Sequence, residues 1–87
     1  MIPAESAAVE NTILRLLAEV GAGRTISPTD AARALKPDTE WHVLMPPVRR
    51  AAVKLALAGS IVIYRKGKPV DPSDFKGVYR LGLPRHD

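Results

Sequence analysis

Side chains that commonly carry enzyme chemistry are few and widely spaced in this sequence. It has no cysteine, and its two histidines, His42 and His86, do not stand at a spacing from carboxylates that would form a metal site. Asp71 and Asp74 lie close together, but no third polar group suggests acid–base catalysis, and we expect Asp71 to form a turn and to pair with Arg80. The sequence therefore predicts no enzyme activity, no metal site and no cofactor.

The distribution of charge is more informative than the net charge of +4. The first forty residues hold four basic and six acidic side chains, a net of −2, whereas the rest of the chain holds nine basic and three acidic side chains, a net of +6. No carboxylate occurs from Trp41 to Val70. That stretch contains six basic residues, namely Arg49, Arg50, Lys54, Arg65, Lys66 and Lys68. Such a segment favours an acidic partner, although an ordinary solvated surface is also rich in Lys and Arg.

Helical periodicity and end signals predict two helices in the first half of the chain. Apolar residues at helical spacing predict an amphipathic helix over Ser6–Val20, ended by Gly21. Because Gly21–Arg24 follows this helix and does not join a strand to a helix, we interpret it as a helix end and not as a phosphate-binding loop. Ser27, followed by Pro28 and an acid, predicts the start of a second helix that ends near Lys36.

A break and a third helix are expected next. Asp38 or Thr39 is expected to cap a short helical turn that contains Trp41, which fills the junction between the second and third helices. Pro46 and Pro47 interrupt the backbone hydrogen bonds and Pro47 begins the third helix, which Gly59 ends. Its predicted inward face consists of Val48, Ala51, Ala52, Leu55 and Ala58.

The outer half of the third helix is basic but not wholly polar. Arg49, Arg50 and Lys54 share it with two apolar residues, Val53 and Leu57. The two apolar residues suit a homodimer contact or an unidentified protein partner, unless the N-terminal segment, including Ile2 and Leu14, covers them.

Two β-rich runs predict a hairpin in the second half of the chain. They are Ile61–Arg65 and Val78–Leu83, and Thr25-Ile26 is a further short extended segment. A long loop, 66–77, joins the two strands and is expected to project. Tyr79, Leu81 and Leu83 alternate as a face packed on the helices. This order of elements is that of an α+β winged helix-turn-helix fold with three helices and a C-terminal hairpin wing, in a single domain over residues 1–87.

The residues also resemble a known family. The most specific features are Trp41 and Leu44-Met45-Pro46, paired with the later Pro69-Val70-Asp71-Pro72. The segment Gly23–Pro28 also matches. They resemble a family of small bacterial proteins called the domain of unknown function thirty-two fifty-three, over nearly the whole chain. The resemblance implies a winged-helix-like fold and a bacterial source, and it implies no known activity. Gly82 departs from the larger or basic residue expected there.

These observations favour a cytoplasmic DNA-binding protein with a role like that of a transcription regulator. The third helix would contribute Arg49, Arg50 and Lys54, and the wing would contribute Arg65, Lys66 and Lys68. The third helix lacks Ser, Thr, Asn and Gln, so most contacts are expected to be with phosphates. The alternative is a protein-interaction module that uses Val53 and Leu57. No membrane segment is predicted.

Overall fold

The computed structural model describes the backbone of residues 3–84 and the side chains of residues 7–38 and 40–84. Three α-helices and four β-strands form an α+β fold in this part of the chain, with a short 3-10 helix over Thr39–Leu44. The helices are α1 (Pro3–Val20), α2 (Pro28–Leu35) and α3 (Met45–Leu57). The strands are β1 (Thr25–Ile26), β2 (Val62–Arg65), β3 (Lys68–Pro69) and β4 (Arg80–Gly82).

Helix α1 supplies the centre of the helical layer. It begins at Pro3, three residues before the predicted start, and its face of Val9, Ile13 and Leu17 is buried. Gly21 ends it as predicted, with φ of 85° and with its N–H donating to the Leu17 carbonyl at 2.9 Å. The helix packs against α2, α3 and β1, so it joins the helical layer to the sheet.

Helix α2 begins with the predicted cap, which is reciprocal. The Ser27 hydroxyl accepts from the Asp30 N–H at 3.1 Å, and the Asp30 carboxylate accepts from the Ser27 N–H at 2.9 Å. This capping box satisfies two backbone donors that a helix start leaves unpaired. The cap lies at the single residue between β1 and α2, so it fixes the point at which the chain passes from strand to helix.

Replacing Ser27 with alanine should lower the free energy of unfolding by about 1 kcal/mol, because one capping acceptor is lost. Urea unfolding measures the change. Ser60→Ala is the matched control, since Ser60 is exposed and its side chain makes no hydrogen bond within the described part of the chain. Equal stability of the two variants would contradict the importance of the cap.

The chain enters α3 through a change of helix type. Asp38 caps the 3-10 helix, as predicted, by accepting from the Glu40 N–H at 2.8 Å. Helix α3 starts at Met45, so Pro46 and Pro47 lie in its first turn, where a missing N–H costs little. The predicted break therefore lies just before the two prolines.

The inward face of α3 agrees with the prediction at four of its five positions. Val48, Ala51, Ala52 and Leu55 are buried. The prediction was wrong for Ala58, which is exposed because it is the C-cap residue. Gly59, with φ of 81°, ends the helix one residue later.

The sheet is antiparallel and has the strand order β1-β4-β2-β3. Leu81 of β4 lies in register with Ile26 on one side and with Ile63 on the other. All three are buried, and they form one apolar row across the sheet. Tyr79 is also buried and Leu83 packs against the core, which confirms the predicted inward face.

The connection between β2 and β4 differs from the single long loop that was expected. A two-residue turn joins β2 to β3, because Arg65 pairs with Lys68, and Lys66 and Gly67 have φ of 53° and 80°. Positive φ at both central residues is characteristic of a tight hairpin turn. The prediction that the loop projects is wrong for its second half, since Phe75 is buried in the core. The last strand also differs from the prediction. It was expected to begin at Val78, but β4 begins at Arg80.

None of the described helices is long and apolar enough to cross a membrane.

Candidate nucleic-acid interface

Arg49 lies at the base of the loop and not on the outer surface of α3, where it was predicted. It is half-buried, and its Nη2 donates to the Phe75 carbonyl at 2.7 Å. Its guanidinium lies 4.0 Å from the centre of the Phe75 ring and 5.8 Å from that of Tyr79. Arg49 therefore ties α3 to the loop.

The two aromatic rings under Arg49 pack edge to face, with their centres 5.1 Å apart. Burial raises the pKa of the Tyr79 phenol above its ordinary value, and the positive charge of Arg49 opposes this rise. The phenol is thus neutral under ordinary conditions and belongs to the apolar support of the loop.

Arg49→Gln should lower the free energy of unfolding by about 1–2 kcal/mol, because it removes both the hydrogen bond to Phe75 and the cation–π contact. The matched control is Arg50→Gln, since Arg50 is the next residue and is exposed. Thermal and urea unfolding of the pair measure the difference. Equal stabilities would show that Arg49 does not hold the loop.

The remaining two cations of α3 differ in their surroundings. Lys54 Nζ lies 3.3 Å from Glu10 Oε2 on α1, and its side chain is 71% exposed, against 18% for Glu10. This ion pair partly offsets the charge of Lys54. Arg50 is exposed, and its side chain has no hydrogen bond or ion pair within the described part of the chain.

The hairpin region contains two cations whose side chains are unpaired among the described residues and one cation whose side chain is hydrogen-bonded to the loop. Lys66 and Lys68 are exposed at the β2–β3 turn, and their side chains make no hydrogen bond or ion pair with described residues. Arg65 instead donates from Nε to the Val78 carbonyl at 3.1 Å. Its guanidinium lies so close to Gly77 that a Cβ there would be 2.9 Å from Nη2. Arg65 thus holds the returning loop as Arg49 does.

Lys76 is a further exposed cation, and it is not among the predicted contact residues. It adjoins Phe75, whose carbonyl Arg49 binds, and it lies two residues before Val78, whose carbonyl Arg65 binds. The sequence indicated Lys76 as a candidate contact residue only through its position beside Gly77 in the basic half of the chain.

Asp71 forms a turn, as expected, but does not pair with Arg80. Its Oδ1 accepts from the Ser73 N–H at 2.9 Å and from the Ser73 hydroxyl at 2.7 Å, and these bonds lower the pKa of the carboxyl. Arg80 donates to Thr25 instead, from Nε to Oγ1 at 2.7 Å and from Nη2 to the carbonyl at 3.2 Å. Arg80 therefore fastens β4 to β1.

The two apolar residues predicted on the outer face of α3 are not equivalent. Val53 is half-buried and packs against the core, whereas the Leu57 side chain is 66% exposed. Leu14, which was expected to help cover them, is half-buried, and Ile2 lies outside the described residues. Of these two described residues, Leu57 is therefore the one that is available as a large apolar contact.

Trp41 packs partly against the core, as expected of a residue at this junction. The exposed His42 ring stacks on it with centres 3.6 Å apart, and the Arg33 guanidinium lies 5.1 Å from the Trp41 ring. Among the described residues, no group of three or more His, Cys, Asp or Glu could hold a metal ion. His86 lies outside the described residues.

A family model matches residues 6–84, which include all six predicted contact residues together with Val53 and Leu57. The family is described as "Protein of unknown function (DUF3253)". The chain belongs to the DUF3253 family. The resemblance based on Trp41 and on the Pro69–Pro72 segment is thereby confirmed. No curated protein matches this DUF3253 chain.

Gly82 has a structural role in this DUF3253 protein. It is buried in β4 between Thr25 of β1 and Val62 of β2. A Cβ at this position would lie 2.9 Å from Tyr64 Cε2 and 3.4 Å from Thr25 Cγ2. The glycine therefore lets the Tyr64 ring lie across the strand.

Proposed function

We propose that this protein binds duplex DNA through α3 and the β2–β3 hairpin, in a winged helix-turn-helix arrangement and in a role like that of a transcription regulator. The succession of α1, β1, α2, α3 and the later strands supports this arrangement, as does the strand order β1-β4-β2. In such domains the third helix lies against the major groove.

The observation that carries the proposal is a set of uncompensated cations. Arg50, Lys66 and Lys68 are exposed and unpaired within the described part of the chain, in a stretch from Trp41 to Val70 that contains no carboxylate. Exposed cations with no acidic neighbour in sequence raise the local positive potential. DNA phosphates are a partner that neutralises several such charges at once.

The six predicted contact residues accordingly take different roles in the proposal. Arg50, Lys66 and Lys68 would contact phosphates directly. Arg49 and Arg65 would act by holding the loop, since their guanidinium groups bind the Phe75 and Val78 carbonyls. Lys54 would add a weaker contact because Glu10 shares its charge. Contact with phosphates through three cations predicts binding with little preference for base sequence.

Fluorescence anisotropy with a labelled duplex of mixed sequence tests the proposal. Three phosphate contacts predict a slope of about −2.7 for the logarithm of the association constant against the logarithm of salt concentration. Affinity should then fall about 40-fold when salt is raised from about 50 mM to about 200 mM. No binding at the lower salt concentration would overturn the proposal.

A second candidate function is a protein-interaction module, and the exposure of Leu57 favours it. This leucine, 66% exposed, stands at the end of α3, where it would suit an apolar contact with a second copy of the chain. Light scattering of the wild type and of Leu57→Asp tests this candidate. A dimer that the substitution converts to a monomer would support it, whereas a monomer in both cases would exclude the homodimer.

A further inference from the structure

Residues 76–78 form a short arch between two buried aromatic anchors. Phe75 and Tyr79 are each only 7% exposed, and their rings contact each other edge to face. The three residues between them, in contrast, are exposed. The backbone thus leaves the core at Phe75 and returns to it at Tyr79.

Two arginines and a glycine fix the shape of this arch. Arg49 binds the carbonyl at its start, that of Phe75, and Arg65 binds the carbonyl of Val78 near its end. Gly77 has φ of 84°, and a Cβ there would meet the Arg65 guanidinium at 2.9 Å. Because these contacts hold the arch in the free protein, little conformational entropy remains to be lost when it binds.

The arch presents an apolar tip between positive charges. Val78 is 85% exposed, and Lys76 is exposed beside it. Arg49, Arg65 and Lys76 give the arch and its supports three positive charges, against one negative charge from the neighbouring Asp74. A single exposed valine is common on protein surfaces. Here, however, the hydrogen-bonded backbone of the arch keeps Val78 exposed beside positively charged side chains.

We propose that this arch enters the minor groove of duplex DNA, with Val78 as its apolar contact and Lys76 against a phosphate. The inference rests on the proposed function and adds a second groove to it. The minor groove is about 6 Å wide, which is too narrow for a helix, so a loop is the kind of element that can enter it. Minor-groove proteins use apolar side chains in this way, inserted between base steps and flanked by basic residues.

An anionic membrane surface would also attract cations around an apolar tip. Stable attachment to a bilayer needs far more apolar surface than one valine offers, since even a whole myristoyl chain binds only marginally. The small apolar surface of the arch therefore favours the DNA groove.

Duplex binding by Val78→Ala and Val43→Ala tests the assignment. Both valines are exposed, at 85% and 59%, so both variants should keep the fold, which circular dichroism checks. Val78→Ala should weaken duplex binding about tenfold, because two methyl groups leave the contact, and it should not change the salt slope. Val43→Ala should bind like the wild type. Lys76 adds a fourth phosphate contact, which makes the expected wild-type slope about −3.6, and Lys76→Gln should return the slope to about −2.7.

Netropsin, which fills the minor groove of AT-rich duplexes, supplies a second measurement. It should weaken binding by the wild type more than binding by Val78→Ala, because the variant has already lost its groove contact. If the wild type binds duplex DNA and Val78→Ala binds it equally well, the arch assignment alone is overturned. If the wild type does not bind duplex DNA, the proposed function itself is overturned. Co-sedimentation with phosphatidylserine vesicles tests the lipid alternative. If Val78→Ala alone abolishes co-sedimentation and leaves duplex binding unchanged, the arch binds lipid instead of DNA.

Discussion

Leu81→Ala should lower the free energy of unfolding by about 3–4 kcal/mol. Leu81 is fully buried at the centre of the sheet, where it lies in register with Ile26 and Ile63. Truncating it leaves a cavity between two neighbours whose backbones are held by strand pairing, so the site cannot close easily. A domain of this size is stable by about 4–13 kcal/mol, so this one substitution removes a large part of the total.

Leu57→Ala provides the matched control, because it makes the same chemical change at a side chain that is 66% exposed. We expect its effect to stay within about 0.5 kcal/mol. Urea unfolding followed by circular dichroism measures both variants. A loss of less than about 1 kcal/mol for Leu81→Ala would contradict the position of the apolar row in the core.

Neutralising the three unpaired cations should almost abolish duplex binding. The variant combines Arg50→Gln, Lys66→Asn and Lys68→Gln, with asparagine at position 66 because φ there is 53° and asparagine tolerates that conformation. Loss of three phosphate contacts should weaken binding by about two to three orders of magnitude at about 0.1 M salt. Anisotropy against salt concentration measures both the loss and the flatter slope.

A matched control removes the same charge elsewhere. Arg15, Arg24 and Lys36 are exposed cations of the first forty residues, and their replacement by glutamine takes the net charge from +4 to +1, as the first variant does. The control should keep most of the wild-type slope, since it leaves the third helix and the hairpin intact. Equal losses in both variants would mean that only the overall charge matters, and not the location of the three cations.

Features set by neighbouring residues could be predicted from the sequence. The Ser27 cap, the end of α1 at Gly21 and the cap at Asp38 each depend on contacts within four residues, and all three are confirmed. The alternation of Tyr79 and Leu81 likewise follows from the two-residue period of a strand.

Features set by distant residues could not be predicted in the same way. Arg49 was expected to face outward because helical periodicity places it beside Arg50, yet Phe75, 26 residues later, supplies a carbonyl and a ring that hold it half-buried. The ion pair of Lys54 with Glu10 likewise joins two helices that are far apart in sequence. Because of these contacts, Arg49 holds the loop and Lys54 pairs with Glu10, although both had been predicted as direct DNA contacts.

The β2–β3 turn was missed for a different reason. Lys66 and Gly67 look like the start of a long polar loop, and Lys68-Pro69 is too short to be identified as a strand from alternation. The positive φ of Lys66 became evident only from the structure. The turn places Lys66 within the two-residue reversal and Lys68 directly after it, so both cations of the proposed interface lie at one end of the hairpin.

The most direct test of the interface is a titration of ¹⁵N-labelled protein with duplex DNA, followed by amide chemical shifts. We expect the largest changes around Arg50 of α3 and around Lys66–Lys68, with small changes at Arg15 on α1. Large changes confined to α1, or no changes at low salt, would contradict DNA binding through the third helix and the hairpin.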